Sequence, residues 1–376
     1  MQRISIIAPM RNEARHIESF VADVAAQDFA GEVEIIVADG GSTDGSVELL
    51  HEAAAGAGLD VTVLENPARF VSQGLNACIA RARGDLIVRL DCHSRYPSDY
   101  LRLCSSASEE TGAWNVGGIV RAAGTTVSER AVACAMDSPF GGIGWTRAEG
   151  SGGRIEVDTV TYGAFRPEVF DRIGLFDESL VRNQDDELNL RLRLAGGRIV
   201  LDPAIRLDYT PRGDWVGVFR QYFEYGRWKV PVMLKHRRVA TARSLAPAAL
   251  VVTLCGLAAL APFSRTARLG LVAEGVLYGV LAVAFAVRSI RRRREPLSLL
   301  PRVVATFPAF HLGYGVGMVW GTLRALGPGD RSVAPAQVSP ELQRLGPTRH
   351  ELRERRPEGA AEDERDGDAA ERVGDR

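Results

Sequence analysis

The sequence predicts an α/β protein: a Rossmann-like, mostly parallel sheet followed by apolar helices of membrane-crossing length. Three observations carry this. Short β-branched runs alternate with amphipathic stretches over the first 200 residues, the pattern of βαβ units. The runs are continuously apolar rather than alternating, which marks strands buried on both faces. From Ser244 onward, three long stretches carry almost no charge.

The elements follow in order. Ile4–Ala8, Val33–Ala38, Val61–Leu64 and Leu86–Leu90 are of strand length and bounded by polar or turn residues. Between them Glu13–Gln27, Ser46–Ala57 and Ser72–Arg83 are of helical length. A further helix begins at Asn183-Gln184-Asp185-Asp186-Glu187-Leu188 and runs through Arg193, with acids where the helix dipole favours them. Residues 1–212 are the predicted α/β domain. In residues 213–242, Trp215, Phe219, Tyr222, Phe223, Gly226 and Val230 recur at helical spacing among Arg220, Arg227 and Lys229. This predicts an amphipathic helix in the headgroup layer of a membrane.

Residues 243–325 predict three transmembrane helices. Ser244–Ser264 has 21 residues without a charge, Leu269–Val287 has 19 with one acid, Glu274, and Val303–Leu323 has 21, again uncharged. Each can cross a hydrocarbon core of about 30 Å at about 1.5 Å per residue. Residues 326–376 are predicted to be disordered: from Arg331 they mix 9 arginines with 11 acids and lack apolar periodicity.

Charge places these parts. The net charge of −1 argues against a nucleic-acid partner. Between Lys235 and Arg302, however, 12 Lys/Arg face 2 acids, so that stretch is +10 and the remainder −11. The arginines cluster before the first span and between the second and third. The positive-inside rule then predicts a cell-membrane protein whose N-terminal domain and second loop are cytoplasmic, and three spans put the C-terminus outside. The N-terminus, Arg3-Ile4-Ser5-Ile6-Ile7, lacks the basic and apolar regions of a cleavable signal. Five scattered cysteines without a C-x-x-C pair predict reduced thiols rather than a disulfide framework or a structural zinc site.

Ligands of parallel sheets bind at the carboxyl ends of the strands. Three polar clusters fall there: Arg11-Asn12-Glu13, Asp39-Gly40-Gly41-Ser42-Thr43-Asp44 and Asp91-Cys92-His93. Asp91 and His93, two apart on an extended chain, point to one side. Together they can share a divalent ion with a diphosphate, while Cys92 packs on the other side. The loop from Asp39 lacks the G-x-G-x-x-G spacing and the G-K-[ST] ending, and its acids suit a base or ribose better than phosphate. Three acids at 185–187 exceed what capping needs, so one carboxylate can serve as a general base.

Pro9-x-Arg11-Asn12-Glu13, Ala38-Asp39-Gly40-Gly41-Ser42-Thr43-Asp44-Gly45-Ser46, Arg89-Leu90-Asp91-Cys92-His93, Gly163-Ala164-Phe165-Arg166, Asn183-Gln184-Asp185-Asp186-Glu187-Leu188 and Arg227-Trp228 occur in one order. With these motifs, residues 3–235 resemble a family 2 glycosyltransferase of the GT-A fold, nearest to membrane-anchored succinoglycan-type enzymes of bacterial exopolysaccharide assembly. The resemblance implies that Pro9, Arg11, Glu13, Asp39 and Asp91 border the nucleotide-sugar. It implies that His93, with Asp91, meets a Mg²⁺ or Mn²⁺ ion, and that Asp185 or Asp186 is the base. Arg166, Arg227 and Trp228 would lie on the acceptor and product side. Gln184 stands where the family usually has Glu, which leaves both Asp185 and Asp186 open as the base, and Glu224 stands where it has Gln or Arg, which argues against processive polymerisation.

The expected reaction is an inverting transfer of a sugar from a cytosolic nucleotide-diphosphate sugar to a lipid-linked saccharide at the membrane. A polyprenyl phosphate as acceptor is the second enzymatic reading, and a catalytically inactive, membrane-tethered carbohydrate-binding protein the third. A transporter fits least, since Glu274 is the single acid within the three apolar stretches.

Overall fold

The computed structural model describes residues 1–141, 153–239 and 242–327. The predicted disordered tail lies outside the described residues except at its start. Four predicted strands are present as β1 (Arg3–Met10), β2 (Glu32–Asp39), β3 (Val61–Glu65) and β4 (Leu86–Arg89). Three predicted helices are present as α1 (Ala14–Ala25), α2 (Ser46–Gly56) and α3 (Val71–Arg81). The second half of the domain adds β5 (Ser94–Arg95), α4 (Tyr100–Thr111), β6 (Asn115–Ala122), α5 (Val127–Met136), β7 (Ile155–Glu156), β8 (Ala164–Phe165), α6 (Pro167–Ile173), α7 (Gln184–Leu194) and β9 (Ile199–Tyr209).

The strands form one mixed sheet in the order β3-β2-β1-β4-β8-β6-β9-β5, with β7 also on β9. The β1–β2, β2–β3, β1–β4 and β6–β9 ladders are parallel and carry most of the paired residues. The antiparallel pairings, through β5, β7 and β8, join two residue pairs each. Side chains of β1 alternate between two cores. Ile4, Ile6 and Ala8 pack with Phe20 and Tyr100 on one face, and Ile7 packs with Leu75 and Phe170 on the other. Both faces are therefore covered, which is why these strands read as continuous apolar runs.

Beyond the sheet come α8 (Trp215–His236), α9 (Ala246–Leu260), α10 (Arg265–Arg293) and α11 (Leu300–Leu326). Three segments, Arg243–Leu260, Arg265–Arg293 and Leu297–Leu326, are long and apolar enough to cross a membrane. The α/β domain is fastened to the end of α10. Arg293 pairs with Asp137, Arg130 with Glu295, and the Ser289 hydroxyl donates to the Cys134 carbonyl. Leu299, Val303 and Phe307 pack against Ala131, Val132 and Cys134 of α5.

The helix expected in the headgroup layer is α8. α8 forms a wall of the main cavity and packs along α11 through glycines. A Cβ on Gly317 would lie 2.0 Å from the Phe223 carbonyl oxygen, and one on Gly226 would lie 2.0 Å from that of Tyr314. Only hydrogen side chains allow backbones so close, the device by which apolar helices associate without a hydrophobic driving force.

Candidate active site

The ends of β1, β2, β4 and β9 open into one cavity of about 2220 Å³, which continues past α7 and α8 to the apolar helices. Its floor is built by two interlocked loops. Asn12, in the left-handed region at φ 55°, accepts from the Thr43 amide at 2.9 Å, and its own amide donates to Ser42 Oγ at 2.9 Å. The Glu13 amide donates to Ser46 Oγ at 2.8 Å, and the Ala14 amide to Asp44 Oδ2 at 3.1 Å. Asp44 thereby serves the first turn of α1, where orphan amides need acceptors.

Pro9, Arg11 and Glu13 line the cavity, as do Asp91 and His93. Asp39 stands differently. Its carboxylate accepts from the amides of Gly41 and Ser42 at 3.0 Å and from the Ser42 hydroxyl at 2.6 Å, so it shapes its own loop. Gly40 rather than Asp39 reaches the cavity wall.

The expectation that Asp91 and His93 act as one donor pair needs correction. β4 ends at Arg89, and the chain turns before His93. Asp91 is held by the buried Arg89, whose Nη2 lies 3.2 Å from both carboxylate oxygens. Arg89 in turn stacks over the Tyr162 ring at 5.5 Å. Both oxygens of this carboxylate are thus already engaged by one guanidinium. His93 Nδ1 lies 3.1 Å from Glu13 Oε1, and that hydrogen bond raises the imidazole pKa above its ordinary value. Cys92 is buried in the core, as expected from its place between them.

The described residues contain no group of three His, Cys, Asp or Glu side chains able to hold a metal by themselves. The residues present nonetheless fit an ion that takes most of its ligands from a diphosphate. A carboxylate on one ring nitrogen fixes the tautomer that leaves Nε2 as a donor, the usual support of a metal-binding histidine.

Across the cavity, the backbone at Asn183 turns left-handed, at φ 61°, and starts α7. Asn183 is tied to α8 by a 2.9 Å bond from Nδ2 to the Tyr225 carbonyl. The three acids of the first turn go three ways. Asp186 Oδ2 meets Lys229 Nζ at 2.7 Å. Glu187 is fully buried among Arg191, Lys235 and His236. Asp185 lines the cavity, makes no ion pair among the described residues and accepts from the Asp186 amide at 2.9 Å. Its pKa is raised, first by desolvation and then by the Asp186 charge, with Arg89 opposing.

Three motif residues lie away from the cavity. Arg166 donates through Nη2 to the Ser108 carbonyl at 2.8 Å, holding the start of α6 against α4. Trp228 Nε1 donates to Glu224 Oε2 at 3.1 Å and packs beside Leu180, Leu190 and Val232. The Arg227 guanidinium lies over the Trp228 ring at 5.5 Å. The acceptor-side expectation for these three is corrected in placement: none of them lines the cavity, while Gln221, Glu224 and Tyr225 do. Tyr209, Arg89, Tyr162 and Lys229 also line it and were not singled out as site residues from the sequence. Two of them carried a signal: Lys229 as one of two lysines in an arginine-rich chain, and Arg89 as the first residue of the Arg89-Leu90-Asp91-Cys92-His93 motif.

A sheet of this order, with polar loops at its strand ends and carboxylates opposite, defines a glycosyltransferase of the GT-A fold. The family model described as Glycosyl transferase family 2 matches residues 5–167. The chain is 32% identical over 319 residues to the succinoglycan biosynthesis protein ExoA of Rhizobium meliloti (strain 1021), covering 83% of this chain and 92% of that one. It belongs to glycosyltransferase family 2.

It is also 27% identical over 239 residues to a dolichyl N-acetyl-α-D-glucosaminyl phosphate 3-β-D-2,3-diacetamido-2,3-dideoxy-β-D-glucuronosyltransferase of Methanococcus voltae, covering 61% of this chain and 73% of that one. Among solved structures it is similar to the mannosyltransferase PcManGT of Pyrobaculum calidifontis, in complex with GDP-Man and Mn²⁺. The TM-score is 0.59 at 20% identity, covering 84% of this chain and 87% of that one, a likeness of fold.

Proposed function

We propose that the protein is a membrane-bound inverting glycosyltransferase, moving a sugar from a cytosolic nucleotide-diphosphate sugar to a lipid-linked saccharide in polysaccharide synthesis. The observation that carries this reading is the state of Asp185: a carboxylate of raised pKa, without an ion pair among the described residues, in a cavity that joins the strand-end cluster to the apolar helices. Asp185 takes the proton from the acceptor hydroxyl as its oxygen attacks the anomeric carbon. The bond to the diphosphate breaks on the opposite side. Asp186, neutralised by Lys229, is the poorer base.

Pro9, Arg11 and Glu13 border the nucleotide-sugar. His93, braced by Glu13, would hold a Mg²⁺ or Mn²⁺ ion together with the diphosphate, where it offsets charge on the leaving group. Chelation is expected to abolish transfer; full activity in excess chelator would remove the metal from this account. The measurement is label in the lipid extract of isolated membranes incubated with a panel of radiolabelled nucleotide-sugars.

The raised pKa of Asp185 sets a pH dependence. Only the ionised carboxylate accepts a proton, so turnover is expected to fall as pH drops through that pKa. This acid limb lies above the ordinary Asp value of about 3.9. A kcat profile whose acid limb sits at the ordinary value contradicts the assignment.

A second reading is favoured by a separate observation. Arg220, Arg243 and Arg288 line the part of the cavity beside the apolar helices and make no ion pair among the described residues. They suit a lipid phosphate. If that phosphate is itself the acceptor, it needs little deprotonation at neutral pH and Asp185 loses its role. The same lipid extract distinguishes the two: the label then sits on a polyprenyl phosphate carrying one sugar.

A further inference from the structure

α11 has the length of a membrane span, but the structure ties it to the catalytic domain along its course. At its start, Val303 and Phe307 pack against α5. One turn on, His311 Nε2 lies 2.7 Å from the Phe140 carbonyl oxygen. Further along, α11 runs parallel to α8. Gly313, Gly317 and Gly321 meet the carbonyls of Phe219, Phe223 and Arg227 in turn, each pair four residues after the last. α8 is itself fastened to the domain at this end, through Lys229 to Asp186 and His236 to Glu187.

Along α11, Gly321 stands about 32 Å from Leu300, at about 1.5 Å per residue. Both ends of that length rest on the domain: Leu300 begins beside α5, and Gly321 meets the Arg227 carbonyl of α8, which is itself fastened to α7. The burial agrees. Half of the apolar window of α11 is buried within the protein, against 6% for the first candidate span and 11% for the second.

We propose that α11 does not cross the bilayer but lies with α8 along its surface, so that only the α9–α10 hairpin inserts. The surface commits to lipid as its partner. On the outer half of α11, Val316, Trp320, Leu323 and Leu326 are exposed at helical spacing, with Leu326 79% exposed. This stripe is continuous with the hairpin, because α9 leaves α11 where Gly315 meets the Pro247 carbonyl. The hairpin is lipid-facing beyond that point: Val252, Leu269, Val272 and Val276 are exposed, and Phe263 at its tip is 89% exposed. Inside it, the Thr253 hydroxyl donates to Glu274 Oε1 at 2.6 Å, giving an intramembrane acid a partner between the two helices. A tryptophan in the stripe suits the headgroup level. The chain therefore leaves α11 on the face of the bilayer that holds the catalytic domain, not on the opposite face as three spans require.

Cysteine accessibility tests this on the full chain. Cys255 is the one exposed cysteine among the five, so Cys255→Ser provides the background. Phe263→Cys, Gly327→Cys and, as a marker of the catalytic domain, Glu52→Cys are treated with a membrane-impermeant maleimide in sealed right-side-out and inside-out vesicles. Gly327→Cys and Glu52→Cys are expected to label in the same vesicles, and Phe263→Cys only in the opposite ones. Labelling of Gly327→Cys together with Phe263→Cys overturns the proposal, because α11 then crosses. Labelling of all three from one face overturns it as well, because the hairpin then does not insert. Leu326→Cys replaces Gly327→Cys if the latter fails to accumulate. The outcome is independent of which sugar or acceptor the enzyme uses.

Discussion

Asp185→Asn is expected to lower turnover by about 10²–10⁴-fold, the usual worth of general-base catalysis, while leaving affinity for the nucleotide-sugar nearly unchanged. Asn keeps the size of the side chain and its bond from the Asp186 amide but cannot take a proton. The residues proposed to border the donor stand on the loops after β1 and β4, across the cavity from α7. Asp186→Asn should act oppositely. It removes the nearest charge that raises the pKa of Asp185 and leaves Lys229 without its 2.7 Å partner. Both changes favour ionised Asp185, so the acid limb of the kcat profile should move to lower pH while the plateau is largely kept. Initial rates against pH, with donor affinity, for both variants in one membrane preparation decide this. A dead Asp186→Asn beside an active Asp185→Asn would exchange their roles. Two active variants would bring the lipid-phosphate acceptor forward.

The sequence sets two candidate bases side by side at 185 and 186 and favours Asp185 by motif position alone; the contact that distinguishes their surroundings was not legible in it. Adjacent helical residues differ by about 100° in direction, and the partner that separates these two, Lys229, is 43 positions away. The same holds across the fold. β1 to β4 and the helices between them are local βαβ units with strong apolar runs, and their predicted bounds fall within a few residues of the observed ones. β5, β7 and β8 have two residues each, too short for any periodicity. β9 contains Asp202 and Pro203, which read as a turn, and a register shift on β6 between Gly117 and Ile119 accompanies them.

At the site, residues on the loops after β1 and β4 reach the cavity as their position at strand ends predicts. Arg166, Arg227 and Trp228 do not, because a motif in sequence does not say whether its side chains face the ligand or brace the element that does. The glycines at 313, 317 and 321 were hidden for a different reason. Within an apolar stretch they read as span composition, and their four-residue spacing acquires meaning only once α8 is seen to lie against them.

Glu187→Gln is expected to destabilise the catalytic domain by about 3–5 kcal/mol, the usual cost of removing one partner from a buried ion pair. Glu187 has no exposure, and its carboxylate accepts from Arg191 Nη2 at 2.8 Å, with His236 Nε2 at 2.9 Å and Lys235 Nζ at 3.3 Å. Arg191 is itself buried, and its Nη2 also donates to the Leu175 carbonyl at 2.6 Å. It cannot turn out to water without breaking the segment that follows α6. Glutamine keeps the shape but leaves Arg191 and Lys235 short of one negative charge, with Asp177 the remaining acid beside Lys235.

The effect should depend on pH in a defined direction. Arg191, His236 and Lys235 outweigh the burial cost and hold the native pKa of Glu187 well below that of a free carboxylate. Its stabilisation is therefore complete above the unfolded value of about 4.3. It is lost as pH falls below that value towards the depressed native one. The gap in Tm between wild type and Glu187→Gln should be largest near neutral pH and narrow below about pH 4. Because Lys235 and His236 close α8 onto α7, the variant should also loosen the wall that carries Lys229, and hydrogen exchange over residues 225–236 should quicken. Thermal unfolding in detergent across pH tests the first part. An unchanged Tm at neutral pH would mean that Arg191 and Lys235 find other partners and that Glu187 is not what joins α8 to the catalytic domain.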